Sequence, residues 1–238
     1  MNREFHKWHS PSLGRDMDLL VFGHGGVPVV VFPSSMGRFF EYEDRGMIHA
    51  VQHPLGHGQM QMFCPDSVDA ESWYNKAVHP ADRVQRHMAY ERYILNELVP
   101  LIRRMNHHNG IMTTGCSFGG YHAMNLALKQ PAIFTRCVSM SGAFDMSSFL
   151  HGYHDDNCYF SNPVEYLPQT GEGWYMNQYR DGTRFFLAAG EWDICLGENQ
   201  RMAGIMHNKG IPHRMDVWGE RSVHDWPLWQ KMAQAYFR

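Results

Sequence analysis

Gly115-Cys116-Ser117-Phe118-Gly119-Gly120 lies between a short apolar run, Ile111 to Thr114, and a longer stretch, Ser117 to Gln130. The run reads as a strand. The stretch reads as a helix, with Ala123, Leu126, Ala127 and Leu128 apolar and Pro131 just past its end. A G-x-S-x-G frame at a strand-to-helix turn has the context that a nucleophile elbow requires. A serine hydroxyl is a weak nucleophile until a base takes its proton. The turn lifts the serine to where a base can reach it, and the flanking glycines remove Cβ atoms that would collide with the neighbouring strand and helix. The helix N-terminus adds a dipole that favours a developing anion. The frame alone arises by chance roughly once in ten chains of this length. A serine N-cap on a glycine-rich turn is therefore the competing reading of Ser117 until partners are found.

Outward from this turn, strands and helices alternate. Asp16 to Phe22 and Val27 to Phe32 read as strands, the second a continuous β-branched run of the kind buried on both faces of a mostly parallel sheet. A helix is expected around Tyr42 to Gln52 and a strand over Gly58 to Cys64. Pro80 to Arg104 is the clearest helix, with Pro100 kinking it or starting a new turn. Thr135 to Ser141, Thr183 to Ala189 and His213 to Trp218 read as strands, and Asn199 to Lys209 and Pro227 to Phe237 as helices. The alternation predicts one α/β domain over residues 1–238, a doubly wound sheet with helices on both faces. Residues 144–179 are too long for an ordinary connection and read as an irregular, lid-like insert.

A serine nucleophile needs a histidine and an acid, and in this class of sheet they follow in the order Ser, Asp, His. Asp193 in Gly190-Glu191-Trp192-Asp193 falls just past a strand, at the carboxyl edge where open α/β sheets build their sites. His224 in Ser222-Val223-His224-Asp225-Trp226 lies between the last strand and the last helix. Its Nε2 would take the serine proton while Asp193 fixes the tautomer through Nδ1. Glu191 and Glu198 are the rival acids. The oxyanion donors would be the backbone N–H of Phe118 and one from the Pro33-Ser34-Ser35-Met36-Gly37 loop, best Ser35, with Ser34 or Met36 as alternatives. His24-Gly25-Gly26 looks like a lipase motif but precedes its strand, so it reads as a hairpin turn. Phe39, Tyr153 and Trp174 are candidate pocket residues, with packing alone as the plainer reading.

The formal net charge of −3 over 238 residues advertises no basic face for nucleic acid, and no polybasic run suggests a membrane surface. The five cysteines have no C-x-x-C spacing and read as reduced thiols. The first residues form no signal peptide, so a cytoplasmic location is the default expectation. The pairs His6/His9, His53/His57, His107/His108 and His151/His154 lack the spacing of a zinc motif, and neither metal nor cofactor is expected. The partner is a small-molecule ester, and association into a homo-oligomer is left open.

His9 to Arg15, the Pro33–Gly37 loop, the elbow, Ser139-Met140-Ser141-Gly142, Gly190 to Asp193 and His224-Asp225-Trp226 together resemble the esterase D-like family of the α/β-hydrolase superfamily. S-formylglutathione hydrolases, feruloyl esterases and antigen 85 mycolyltransferases belong to that group. The resemblance spans nearly the whole chain. It implies an α/β-hydrolase fold, a triad of Ser117, Asp193 and His224, an oxyanion hole at Ser35 and Phe118, and ester hydrolysis without a cofactor. Two positions depart from the family pattern. Pro33-Ser34 stands where relatives often carry His-Gly, and Cys116 replaces the more usual histidine before the nucleophile. Hydrolysis of small to medium acyl esters is the leading expectation. Acyl transfer by the same triad and a non-catalytic binding protein on this scaffold are the alternatives.

Overall fold

Eight strands build one sheet in the computed structural model, which describes residues 1–237. They are β1 (Arg3–Ser10), β2 (Arg15–Phe22), β3 (Val27–Phe32), β4 (Met60–Pro65), β5 (Ile111–Cys116), β6 (Phe134–Met140), β7 (Arg184–Gly190) and β8 (His213–Trp218). Their order is β1-β2-β4-β3-β5-β6-β7-β8. Strands β3 to β8 run parallel, and β1 and β2 are antiparallel to their neighbours. β4 and β5 are buried along their whole length, and the polar side chains they carry, Gln61, Thr113 and Thr114, are hydrogen-bonded inside the protein.

Alternate residues of each strand serve opposite faces. Val30 and Phe32 join the core under the helices Pro80–Tyr93, Phe118–Lys129 and Leu196–Asn208. Val29 and Val31 join the core covered by residues 42–55 and the closing helix Trp226–Tyr236. Helices on both faces of a mostly parallel sheet make this an α/β-hydrolase fold. Among the described residues, no helix is long and apolar enough to cross a membrane.

Several local expectations are corrected. The 42–52 helix is broken into Glu41–Asp44, Met47–Ala50 and Gln52–Gly56, the first break falling at Gly46, whose φ is 71°. The Pro80 helix starts at its proline, with the His79 ring accepting from the Ala81 N–H, and runs regularly to Tyr93. It then loosens into a π turn over Ile94–Leu98 immediately before the Val99–Met105 helix. Pro100 offers no N–H to the preceding turn, which is why the ladder slips there. The 144–179 segment is not irregular. It holds the short helices Ser147–Leu150, Asp156–Phe160, Pro163–Gln169 and Trp174–Asn177, the second capped by Asp155 and the third started by Pro163.

His24-Gly25-Gly26 is a tight turn but not a hairpin, because β2 pairs with β4 and not with β3. The chain crosses the start of β4 there. A Cβ on Gly26 would lie 2.1 Å from the backbone of Gln59, so only glycine fits.

A buried polar junction ties two of the helices together. Glu91 accepts from Asn125 at 2.8 Å and Lys129 at 2.5 Å, and its carboxylate lies 3.3 Å from His87 Nε2. Burial opposes ionisation of Glu91, but His87 and Lys129 outweigh it and hold its carboxyl well below the usual carboxylate range. Glu91→Ala would leave Asn125 and Lys129 without their acceptor. Lys129 can still reach water, so a loss of about 2 kcal/mol is expected, measured as a shift in urea midpoint at unchanged m-value.

Candidate active site

Ser117 occupies the turn between β5 and the Phe118–Lys129 helix with φ 55° and ψ −120°, a conformation L-residues seldom adopt. Close packing holds it there. A Cβ on Gly115 would meet the Gly119 backbone at 2.3 Å, and one on Gly119 would meet the Phe32 carbonyl at 2.4 Å. The two glycines let the helix sit directly on β5 and the end of β3, and the serine between them is pushed outward.

The structure brings the three triad candidates together. Ser117 Oγ is 2.9 Å from His224 Nε2, and His224 Nδ1 is 2.7 Å from Asp193 Oδ1. Asp193 follows β7, and His224 lies in the loop between β8 and the last helix. Burial opposes the charge on Asp193, but hydrogen bonds from His224, the Ser141 hydroxyl and the Cys195 N–H outweigh it and hold the carboxyl below its ordinary range. The imidazole is thereby fixed with Nδ1 facing a carboxylate and Nε2 facing the hydroxyl.

The rival acids have other partners. Glu198 accepts the backbone N–H groups of Phe144 and Asp145, and Glu191 accepts that of Arg221. Within the Pro33–Gly37 loop, the Ser34 N–H goes to Glu41, the Met36 N–H to Asp69 and the Gly37 N–H to the Ser34 carbonyl. The N–H groups of Ser35 and Phe118 have no acceptor among the described residues. Two backbone donors are thus uncommitted, one directly after Ser117 and one in the loop that follows β3.

One grouping of three candidate metal-ligand atoms within 4.8 Å occurs among the described residues, Asp193, Cys195 and His224. The carboxylate and imidazole are already bound to each other, and burial pushes the Cys195 thiol up to about 12. A thiol that stays protonated is a poor metal ligand. Of the paired histidines, His9, His53, His57, His107, His108, His151 and His154 are exposed.

The family model described as "Putative esterase" matches residues 10–235. The chain belongs to this esterase family. Membership makes it a serine ester hydrolase by class. Solved structures agree in fold at low sequence identity. A ferulic acid esterase has a TM-score of 0.79 at 16% identity, covering 99% of this chain and 96% of its own. An S-formylglutathione hydrolase from Agrobacterium tumefaciens has a TM-score of 0.77 at 16% identity, covering 98% and 92%. MPT51 (FbpC1) of Mycobacterium tuberculosis has a TM-score of 0.76 at 15% identity, covering 100% and 97%. Among curated proteins none matches this esterase in sequence.

The pocket candidates divide. Trp174 is exposed and packs edge-on against Tyr175. Tyr175 lines a cavity of about 490 Å³ together with Leu128, Tyr159, Tyr166 and Tyr179. Leu128 lies near the far end of the helix that Ser117 starts, roughly 17 Å away at 1.5 Å per residue. Trp174 is therefore not brought to the nucleophile. Phe39 packs on Phe40 and on Phe5 of β1, toward the sheet edge. Tyr153 borders the aromatic cluster around Phe118, with its ring on His79 and its hydroxyl bound to Asp155.

Packed on Phe118, beside Tyr121 and His122 of its own helix, are Tyr74 and Phe149, at 5.2 and 5.5 Å, and Tyr74 also donates to Ser35 Oγ at 2.8 Å. The sequence reading assigned neither. It also assigned no role to Ser141 or Trp229. Trp229 Nε1 donates to Ser141 Oγ at 2.8 Å, Ser141 donates to Asp193 Oδ2 at 2.5 Å, and the indole packs edge-on against the His224 ring. The quoted Ser139–Gly142 motif was the available signal for Ser141.

The folded-state pKa of Asp193 is depressed, so its contribution to stability is complete above the unfolded pKa and is lost as pH falls through the folded one. Ser141→Ala removes one of the bonds that depress it. In an acid titration followed by circular dichroism, the variant is expected to begin unfolding at higher pH than the wild type. An unmoved acid edge would show that Ser141 does not stabilise the carboxylate.

Proposed function

We propose that the enzyme hydrolyses carboxylic esters of small to medium acyl groups through an acyl-enzyme on Ser117. The observation that carries this reading is the unbroken hydrogen-bonded chain Ser117–His224–Asp193, at 2.9 and 2.7 Å. Ser117 Oγ attacks the ester carbonyl carbon and His224 Nε2 takes the hydroxyl proton. The tetrahedral oxyanion is received by the N–H groups of Phe118 and Ser35. The C–O bond to the alcohol then breaks, and His224 returns its proton to the leaving oxygen. Water repeats the sequence on the acyl-enzyme, restoring Ser117 and releasing the acid. Asp193 remains a carboxylate throughout, orienting the ring and stabilising its cationic form.

The acyl preference rests on the aromatic packing beside the two donors. Tyr74, Phe118 and Phe149 contact one another at 5.0 to 5.5 Å and occupy space that a long chain would need. A fluorophosphonate probe is expected to label the wild type and not Ser117→Ala, which should also lose at least about a thousandfold in kcat. In a series of p-nitrophenyl esters, kcat/KM is expected to peak between acetyl and hexanoyl. An unlabelled wild type would overturn the catalytic reading. A maximum at long acyl chains would overturn only the acyl preference.

A further inference from the structure

The segment after β4 clamps the loop after β3 almost residue by residue. Tyr74 binds the Ser35 hydroxyl, Asp69 the Met36 N–H, Ser67 the Gly37 carbonyl, and Asp66 both the Arg38 guanidinium and the Phe39 N–H. Asp69 is the deepest of these contacts. Its Oδ2 accepts the Met36 N–H at 3.3 Å, and its Oδ1 lies 2.9 Å from His122 Nε2. Both side chains are almost wholly buried.

His122 stands one helical turn beyond Phe118, on the helix that carries the nucleophile. Its ring is wedged among Phe32, Tyr90, Phe118 and Tyr121 and has little freedom to rotate. The two uncommitted N–H groups beside Ser117 come from different parts of the chain, Phe118 from the helix and Ser35 from the loop. A preorganised oxyanion site requires both to point at one place without reorganising during the reaction. Met36 is the residue after Ser35, and its φ of 55° is a strained backbone conformation that the contacts around it must hold in place. A buried carboxylate without a partner would be costly, so His122 is what makes Asp69 tolerable at this depth.

We propose that Asp69 and His122 are positioning residues that lock the loop donor of the oxyanion hole to the nucleophile helix. This rests on the esterase reading above. Neither residue touches substrate. Their effect passes through the Met36 N–H to the neighbouring Ser35 N–H, and it belongs to transition-state binding, not to ground-state binding.

The test compares wild type with Asp69→Asn and Asp69→Ala, using p-nitrophenyl acetate turnover and inhibition by a short alkyl trifluoromethyl ketone. The serine adduct of that ketone is an oxyanion, so its affinity reads the hole directly. Losses in kcat of about tenfold for Asp69→Asn and about a hundredfold for Asp69→Ala are expected. KM should stay within about twofold, ketone affinity should fall in proportion to kcat, and the pH profile of kcat/KM should keep its shape. Asp69→Asn is nearly isosteric and decides the matter alone if Asp69→Ala does not fold. Unchanged kcat and ketone affinity in a folded Asp69→Asn variant would overturn the proposal while leaving the esterase reading intact. A fall in kcat without loss of ketone affinity would also overturn it. A wild type that neither hydrolyses the ester nor reacts with a fluorophosphonate would overturn the esterase reading and this proposal together.

Discussion

The approach of Gly119 to the Phe32 and Pro33 carbonyls is the contact on which the rest of the site depends. A Cβ at this position would lie 2.4 and 2.5 Å from those oxygens. Without one, the Phe118–Lys129 helix settles against the end of β3, and two chain segments become neighbours. One begins at Ser117 and offers the Phe118 N–H. The other begins at Pro33 and offers the Ser35 N–H. The same contact forces the left-handed turn at Ser117, since the chain must leave β5 and enter the helix within one residue. The outward setting of Ser117 and the meeting of these two segments thus follow from one steric fact. The strain at Ser117 persists because the packing around it is over-determined.

The other half of the site is built from loops at the same sheet edge. Asp193 and His224 sit in consecutive crossovers, after β7 and after β8, and the two loops are stitched to each other by backbone bonds. The Glu191 N–H donates to the Trp218 carbonyl and the Trp192 N–H to that of Ser222. Because β7 and β8 are adjacent and parallel, the two loops emerge side by side, and the acid meets the histidine with no need for a long reach. The Trp229–Ser141–Asp193 chain extends this order into the protein, with the closing helix setting the hydroxyl that steadies the carboxylate. Glu191 is a structural member of this stitching, accepting the Arg221 N–H, which explains why a carboxylate two residues from Asp193 does not reach His224.

Legibility followed locality. The elbow, the parallel strands and the order Ser, Asp, His could be read because each depends on a few neighbouring residues or on chain order. β3 and β8 were bounded as read, and the other strands that were read shifted by one or two residues at one or both ends, since a strand's limits depend on what its neighbours present. The alternating exposure of β1, with Phe5 and Lys7 outward, is a weak signal at a sheet edge, and no boundaries were drawn for it. Trp229, Asp69 and Tyr74 were not legible as site residues, and Ser141 was marked only by the Ser139–Gly142 motif. Each acts through a partner tens of residues away, and a lone serine, aspartate or aromatic in a loop carries no mark of the contact it will make. The β2–β3 turn was misread for a related reason: its glycines suit a hairpin equally well, and only the placement of β4 between the strands decides otherwise.

The misplacement of Trp174 shows where composition misleads. The 144–179 segment is rich in aromatics, and aromatics line pockets, but a long insert must first bury its own apolar side chains. Val164, Tyr166, Leu167, Met176 and Tyr179 go into the core over the nucleophile helix, and Tyr179 bonds the Leu128 carbonyl near that helix's far end. The first part of the insert, through Met146, Phe149, Leu150, Tyr153 and Cys158, reaches the cluster around Phe118. That cluster is shared with Trp73 and Tyr74, which arrive from the segment that also clamps the Ser35 loop. The aromatic packing on Phe118 and the shape of the Ser35 loop are therefore coupled. A change in the 66–74 segment that reshaped the Phe118 cluster would also disturb the Ser35 loop, so altering one without the other requires the Asp69 contact to be kept.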